Sequence, residues 1–265
     1  MLVWQRTAPE AVRCFREATG DVEFTTDGTS VNTVEGWREM KVGLFSKRKR
    51  GASATADEWD TRTLPAPEAT VAFCAIESSD EFGSRWTAWR KRLGLTDASG
   101  VPVLSDGAKW IWEEQRQHLT QAVGVLDVFH VLEHVAQTAR DVFGETVEGG
   151  EWSMKARRTL LEDGWEGVRW WLEATRTGKP AGRQSLKRLL AYLWPHAEHL
   201  GYAARLSAGQ SIGSGQVEGA CKNLIGRRLK ANSARWKVRR VNRMAGLCAI
   251  MYSHQWANYW KTAAR

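Results

Sequence analysis

The sequence predicts a mixed α/β fold with an all-helical block inserted into it, and three observations carry that expectation. Runs of strand length, rich in β-branched and aromatic residues, alternate with helical spacing up to about residue 129. From 130 to 206 the pattern becomes helix after helix. A glycine-rich run, SIGSGQ, then leads into a basic helical end. The division expected is therefore a core built from 1–129 and 207–265, with 130–206 as the helical insertion.

Residues 8–19 have helical spacing, and DVEFTTDGTSV reads as a strand leading into Asp27-Gly28. WREMKVGLF is its neighbour. The stretch SKRKRGASATADEWDTRTLPAPE, charged and carrying small residues and two prolines, reads as a loop or irregular crossing segment. ATVAFCAI is a third strand. SSDEFGSRWTAWRKRLG, with a Ser and acidic start, is a helix stopped by Gly94. VPVLSDGAKWIW repeats the strand and Asp-Gly arrangement, and AVGVLDVF gives a short fifth strand. In the helical block GETVEGGE and TRTGKPAG interrupt, and the chain ends in a long helix over roughly 238–260. No internal repeat or low-complexity tract is present.

The 265 residues are 43% hydrophobic, enough for a packed interior. No run approaches the roughly 18 consecutive apolar residues of a membrane helix, and MLVWQRTAPEAVR lacks the layout of a signal peptide, so a cytosolic protein is expected. Cys14, Cys74, Cys221 and Cys248 form no CxxC pair, which argues for reduced, buried thiols. The 15 tryptophans are expected mostly in the core, with exposed ones available for base stacking. A formal charge of +8 favours a polyanionic partner. Its distribution says more: 221–243 holds nine basic residues (Lys222, Arg227, Arg228, Lys230, Arg235, Lys237, Arg239, Arg240, Arg243) and no acidic one. That density suggests phosphate contacts, against the plainer reading of a solvated face.

Asp27-Gly28 and Asp106-Gly107 are each ambiguous, because Asp-Gly is also the favoured two-residue hairpin turn. Their joint placement after apolar strands suggests two strand-end carboxylates facing one cleft. Such a pair repels unless a cation lies between them. Hard oxygen ligands suit Mg²⁺ or Mn²⁺, and two such ions can drive phosphodiester displacement. Glu218 follows Gly213-Ser214-Gly215, in the first turn of a helix, and is the candidate third ligand; helix capping is its plainer reading.

The runs DGTSVNTVEGWREMKVG, SDGAKWIW, LDVFHVLEHV and SGQVEGACKNLIGRRLK resemble, in order, the motif blocks of Mutator-type bacterial insertion-sequence transposases, the Kra group in particular. The resemblance covers nearly the whole chain. It implies an RNase H-like sheet carrying a DDE triad, with a helical insertion between the second Asp and the Glu. Asp27, Asp106 and Glu218 would then be catalytic and bind two Mg²⁺ or Mn²⁺ ions. Asp127 and His130 match the family's D-x-x-H motif, as residues supporting the site or contacting DNA. The implied partners are terminal inverted repeats and target DNA, with the protein working as a homo-oligomer on the nucleoid. Lys222, Arg227, Arg228, Lys230 and Arg235 are the candidate DNA contacts. Only 26 residues precede Asp27, where the family carries end-recognition elements, so a catalytic part lacking its recognition part is expected.

Other readings compete. His130, Glu133 and His134 match H-x-x-E-H, an inverted zinc-peptidase pattern for which Glu198 could be a third ligand. That reading leaves the Asp-Gly pairs, the GSGQVEG turn and the basic run unexplained. Ser46-Lys47-Arg48-Lys49-Arg50 could be a localisation signal, but a basic loop or solvated turn accounts for it as well. Ser214 between two glycines lacks the G-x-S-x-G form and a sequence-placed triad. The main rival is a truncated transposase relic that only binds DNA.

Overall fold

A computed structural model describes residues 9–96, 100–230 and 234–263; the chain start on which the leader reading rests lies outside them. Five strands form one mixed sheet in the order β3-β2-β1-β4-β5, among many helices. The chain divides into two compact units. One comprises Met1–Lys49, Pro65–Val123 and Ser214–Arg265, the other Arg50–Leu64 and Gly124–Gly213. The helical unit is thus wider than the block expected over 130–206 and takes in a piece of the expected loop.

In the first unit, helix α1 (Pro9–Glu17) precedes β1 (Asp21–Thr33) and β2 (Gly36–Arg48), which pair antiparallel with Thr33 opposite Gly36. The hairpin turn is therefore Val34-Glu35, and Gly36 takes the positive φ of 103°. Asp27-Gly28 is neither a turn nor a strand end: it stands inside β1, opposite Val42 and Lys41. The strand runs on because Thr29, Val31 and Thr33 keep the β-branched alternation going. Gly28 serves a different need. A Cβ there would lie 2.3 Å from a carboxylate oxygen of Glu39, which pairs with Lys41 two residues on in β2 at 2.8 Å.

Strand β3 (Ala69–Ala75) pairs antiparallel with β2, and the short β4 (Pro102–Ser105) lies parallel to β1. Between them runs α2 (Ser79–Leu93), opened by a Ser78/Glu81 capping box and closed by Gly94 in the left-handed conformation. Helix α3 (Lys109–His118) follows β4, and β5 spans Val123–Leu126. One sheet face presents Phe24, Phe45 and Phe73, which pack on Phe82, Trp86 and Trp89 of α2; the Phe24 and Trp86 rings are 4.9 Å apart. Phenyl and indole edges meeting faces add to the area they remove from water. The opposite face presents Val31, Met40, Val42 and Leu44 to a second core formed by the C-terminal segment.

That segment is α8 (Gly215–Ala220), a π-helical stretch Cys221–Gly226, a last turn Arg227–Leu229, then α9 (Val238–Tyr252) and α10 (Trp256–Ala263). The single long helix expected over 238–260 is two helices. His254, at φ 56°, breaks the run between them.

The second unit contains α4 (Val128–Phe143), α5 (Val147–Ala174), α6 (Pro180–Leu193), a 3-10 stretch Trp194–His199, and α7 (Tyr202–Ser207). Gly164, at φ 61°, interrupts α5. Of the expected interruptions, GETVEGGE is mostly the start of α5, capped by Thr146. Residues 50–64 form a strap on this unit: Gly51 donates to the Gly209 carbonyl at 2.9 Å, Ala54 to Leu206 at 3.1 Å, and Trp59 packs on Phe129.

Among the described residues only Trp59, Trp86, Trp89, Trp112 and Trp152 are buried, so most of the tryptophans are not core as expected. Trp37, Trp170, Trp194, Trp256 and Trp260 are exposed. All four cysteines are free; Cys74, Cys221 and Cys248 are buried and Cys14 half-buried. No helix among the described residues is long and apolar enough to cross a membrane.

Candidate active site

The register of β1 on β4 decides how the two aspartates stand. Phe24 pairs with Val103 and Thr25 with Leu104 in parallel. Counting three residues on from Phe24 and from Val103 reaches Asp27 and Asp106, so the register carried past the end of β4 brings the two to one level. Side-chain alternation places both on the face of Val31, Val42 and Leu44. Asp106 does lie just past the end of its strand, as expected, while Asp27 lies within its own.

The C-terminal segment is laid along β1 on this face by a series of side-chain and backbone contacts. Gln216 donates to Glu23 at 3.1 Å, the Cys221 thiol to Asp27 Oδ2 at 3.7 Å, and Lys230 to Thr29 Oγ1 at 2.6 Å. Trp236 closes the series, donating its backbone N–H to the Asn32 carbonyl and accepting from Val34. Glu218 falls between Gln216 and Cys221, so it belongs to the level between Glu23 and Asp27. Val217, Ala220 and Cys221 are buried against the sheet, while Glu218, three residues before Cys221, is exposed.

Each of the three carboxylates has a local hydrogen bond. Asp27 Oδ1 accepts from the Gly28 N–H at 2.6 Å, Asp106 Oδ1 from Ala108 N–H at 3.0 Å, and Glu218 Oε1 from the Ser214 hydroxyl at 3.3 Å. They do not converge on one point: among the described residues, the groups whose ligand atoms all lie within 4.8 Å of one another do not include this trio. One group in the first unit that does is Asp80, Glu114 and His118, which sequence reasoning missed. Its only sequence signal was the i, i+4 spacing of Glu114 and His118. Burial and the charge of Asp27 push the Cys221 thiol far up, so it stays protonated beside that carboxylate.

Neither a family model nor a curated protein matches this chain.

The basic run is on the surface. Lys222, Arg227, Arg228, Lys230, Arg235, Lys237, Arg239, Arg240 and Arg243 are all exposed. In the second unit, Asp127 is fully buried and caps α4, its Oδ1 accepting from Phe129 N–H at 2.7 Å and His130 N–H at 3.1 Å. Asp127 thus holds the backbone N–H of His130, its partner in the D-x-x-H pattern. The His134 ring packs on Tyr192 at 4.2 Å. Among the described residues, His130, Glu133, His134 and Glu198 are not a group whose ligand atoms all lie within 4.8 Å of one another.

Proposed function

We propose that this chain is the catalytic part of a DDE-type transposase acting on DNA, with an RNase H-like sheet as its frame. The observation that carries the reading is that Asp27, within β1, and Asp106, just past the end of the parallel β4, lie equally far along from paired residues, with the segment bearing Glu218 laid along β1. Three carboxylates are, by the chemistry of their donors, a hard-oxygen set of the kind that suits Mg²⁺ or Mn²⁺. When bound, these ions supply Lewis-acid charge to the attacking oxygen and the leaving oxygen of a phosphodiester.

The chain's own residues do the positioning. The Gly28 and Ala108 N–H groups and the Ser214 hydroxyl each hold one oxygen of Asp27, Asp106 and Glu218, which limits carboxylate rotation. Lys222, Arg227, Arg228, Lys230 and Arg235 hold the DNA backbone without reading its bases. Water attacks at an element end, and the freed 3′-OH then attacks target DNA in the same site. Action as a homo-oligomer on paired ends belongs to the same proposal.

The test is a Mg²⁺- or Mn²⁺-dependent strand-transfer assay on DNA carrying the sequences that flank the gene. Wild type gives joined product, and Asp106→Asn lowers the rate at least about a hundredfold, ~3 kcal/mol in the barrier. Equal activity in both defeats the assignment. Salt-sensitive DNA binding without any joining by wild type favours the relic that only binds DNA.

A further inference from the structure

Helices α2 and α3 carry a second group of ligand-type side chains that the proposed chemistry does not use. Asp80 lies in the first turn of α2, and Glu114 and His118 share one face of α3 at i, i+4. One carboxylate oxygen each of Asp80 and Glu114 and one ring nitrogen of His118 all lie within 4.8 Å of one another.

Three further observations point to a ligand among them. Glu114 is buried, at 5% exposure, yet its Oε2 has no hydrogen-bond partner, and neither has His118 Nε2. These two atoms are 3.3 Å apart but off the axis of a hydrogen bond. The other ring nitrogen, His118 Nδ1, is 2.9 Å from Thr87 Oγ1, an arrangement that fixes the ring and aims Nε2 toward the carboxylate. Lys41, the nearby cation, is already engaged by Glu39 at 2.8 Å and the Glu77 carbonyl at 3.2 Å.

The helix backbone is also cut away at this place. A Cβ on Gly83 would lie 2.1 Å from Glu114 Oε2 and 2.6 Å from His118 Cδ2. Glycine inside a helix costs about 1 kcal/mol relative to alanine, so its position here answers the room that the carboxylate and imidazole need. The 3.3 Å spacing equals the edge of a tetrahedron with metal–ligand bonds of about 2.0 Å.

We propose that Asp80, Glu114 and His118 bind one divalent transition-metal ion of the zinc class, with water at the remaining position, clamping α2 to α3. Burial raises the Glu114 carboxyl and lowers the His118 imidazolium, the signature of charged groups held from water without a full counter-charge. A cation shared by them reverses both tendencies. The mixed nitrogen and oxygen set separates this site from Asp27, Asp106 and Glu218, which offer oxygen alone.

The full, tag-free chain is titrated with Zn²⁺ against a chromophoric chelator and with Co²⁺ by visible absorption, alongside His118→Gln and Asp80→Asn. The expected result is one fewer tight equivalent in His118→Gln, loss of the corresponding Co²⁺ band, and at least tenfold weaker binding at that site in Asp80→Asn. Asp80 is exposed, so its Asn variant leaves the core intact, and circular dichroism checks both folds. Folded variants that bind as many equivalents as wild type with unchanged affinity overturn the site. Ions held elsewhere cancel in the comparison, so failure here leaves the strand-transfer result untouched.

Discussion

Gly28 and Gly20 show how the same residue type answers different demands. Gly28 has ordinary extended backbone, and a Cβ there would meet only the end of the exposed Glu39 side chain, which can swing aside. Gly20 has φ +100°, and its Cβ would lie 2.3 Å from the Arg48 carbonyl oxygen, which is backbone and cannot yield without moving β2. Gly20→Ala is therefore expected to destabilise by roughly 2 kcal/mol or more, with Gly28→Ala under about 1 kcal/mol. Urea unfolding of both variants checks this; equal costs would show that the Gly20 backbone relaxes. The Asp27-Gly28 pair illustrates the residue-scale limit of sequence reading. The dipeptide is compatible with a turn, a strand end or a strand interior, and only the partner at Val42 selects among them.

At the scale of elements, short polar clasps set where strands and helices begin. Glu68 leads into β3, and its carboxylate accepts from the Thr19 N–H at 2.9 Å and the Thr19 hydroxyl at 2.8 Å while pairing with Lys49 at 2.8 Å. The chain before β1 is thereby tied to the chain before β3. The Lys49 ammonium first, and then the two Thr19 donors, pull this carboxyl down to about 2. Its unfolded value is about 4.3, so the folded form binds the proton less well. The clasp's contribution is complete above the unfolded value and is lost as pH falls through the folded one. A carboxyl-carbon NMR titration of Glu68 in the native state is expected to show its midpoint near 2. A midpoint in the ordinary range near 4.3 would refute the clasp. The same kind of local chemistry made α2 legible in advance, because Ser78, Glu81 and Gly94 are capping residues at both of its ends. The break at Ser253–Gln255 was not legible, since it rests on one residue, His254, taking a left-handed backbone.

For the molecule as a whole, charge and division into units matter most. The nine exposed cations of 221–243 lie in the first unit with no acidic residue among them, and no ion pair involves them among the described residues. On the proposed reading, each phosphate contact releases counterions and steepens the salt dependence of DNA binding by about 0.9 in log–log slope. Replacing Arg227 and Arg228 with alanine should flatten that slope by about 1–2 and weaken binding alike on unrelated sequences. A salt titration by fluorescence anisotropy on two unrelated duplexes measures both. An unchanged slope would remove these two arginines from the interface.

The sequence by itself determined the element types and the charge. Apolar periodicity, capping residues and acid-free basic runs are local properties, and they located the strands, most helices and the helical block. Tertiary structure alone decided the rest. That Asp27 and Asp106 share one level follows from a parallel register between strands some 80 residues apart, which no local pattern encodes. The attachment of residues 50–64 to the helical unit joins backbone hydrogen bonds to Leu206 and Gly209 with the packing of Trp59 on Phe129, partners more than 60 residues away that no local pattern names. Asp80 and the pair Glu114 and His118 meet only because α2 packs on α3 with a glycine at the crossing, a relation set by packing and invisible to spacing along the chain.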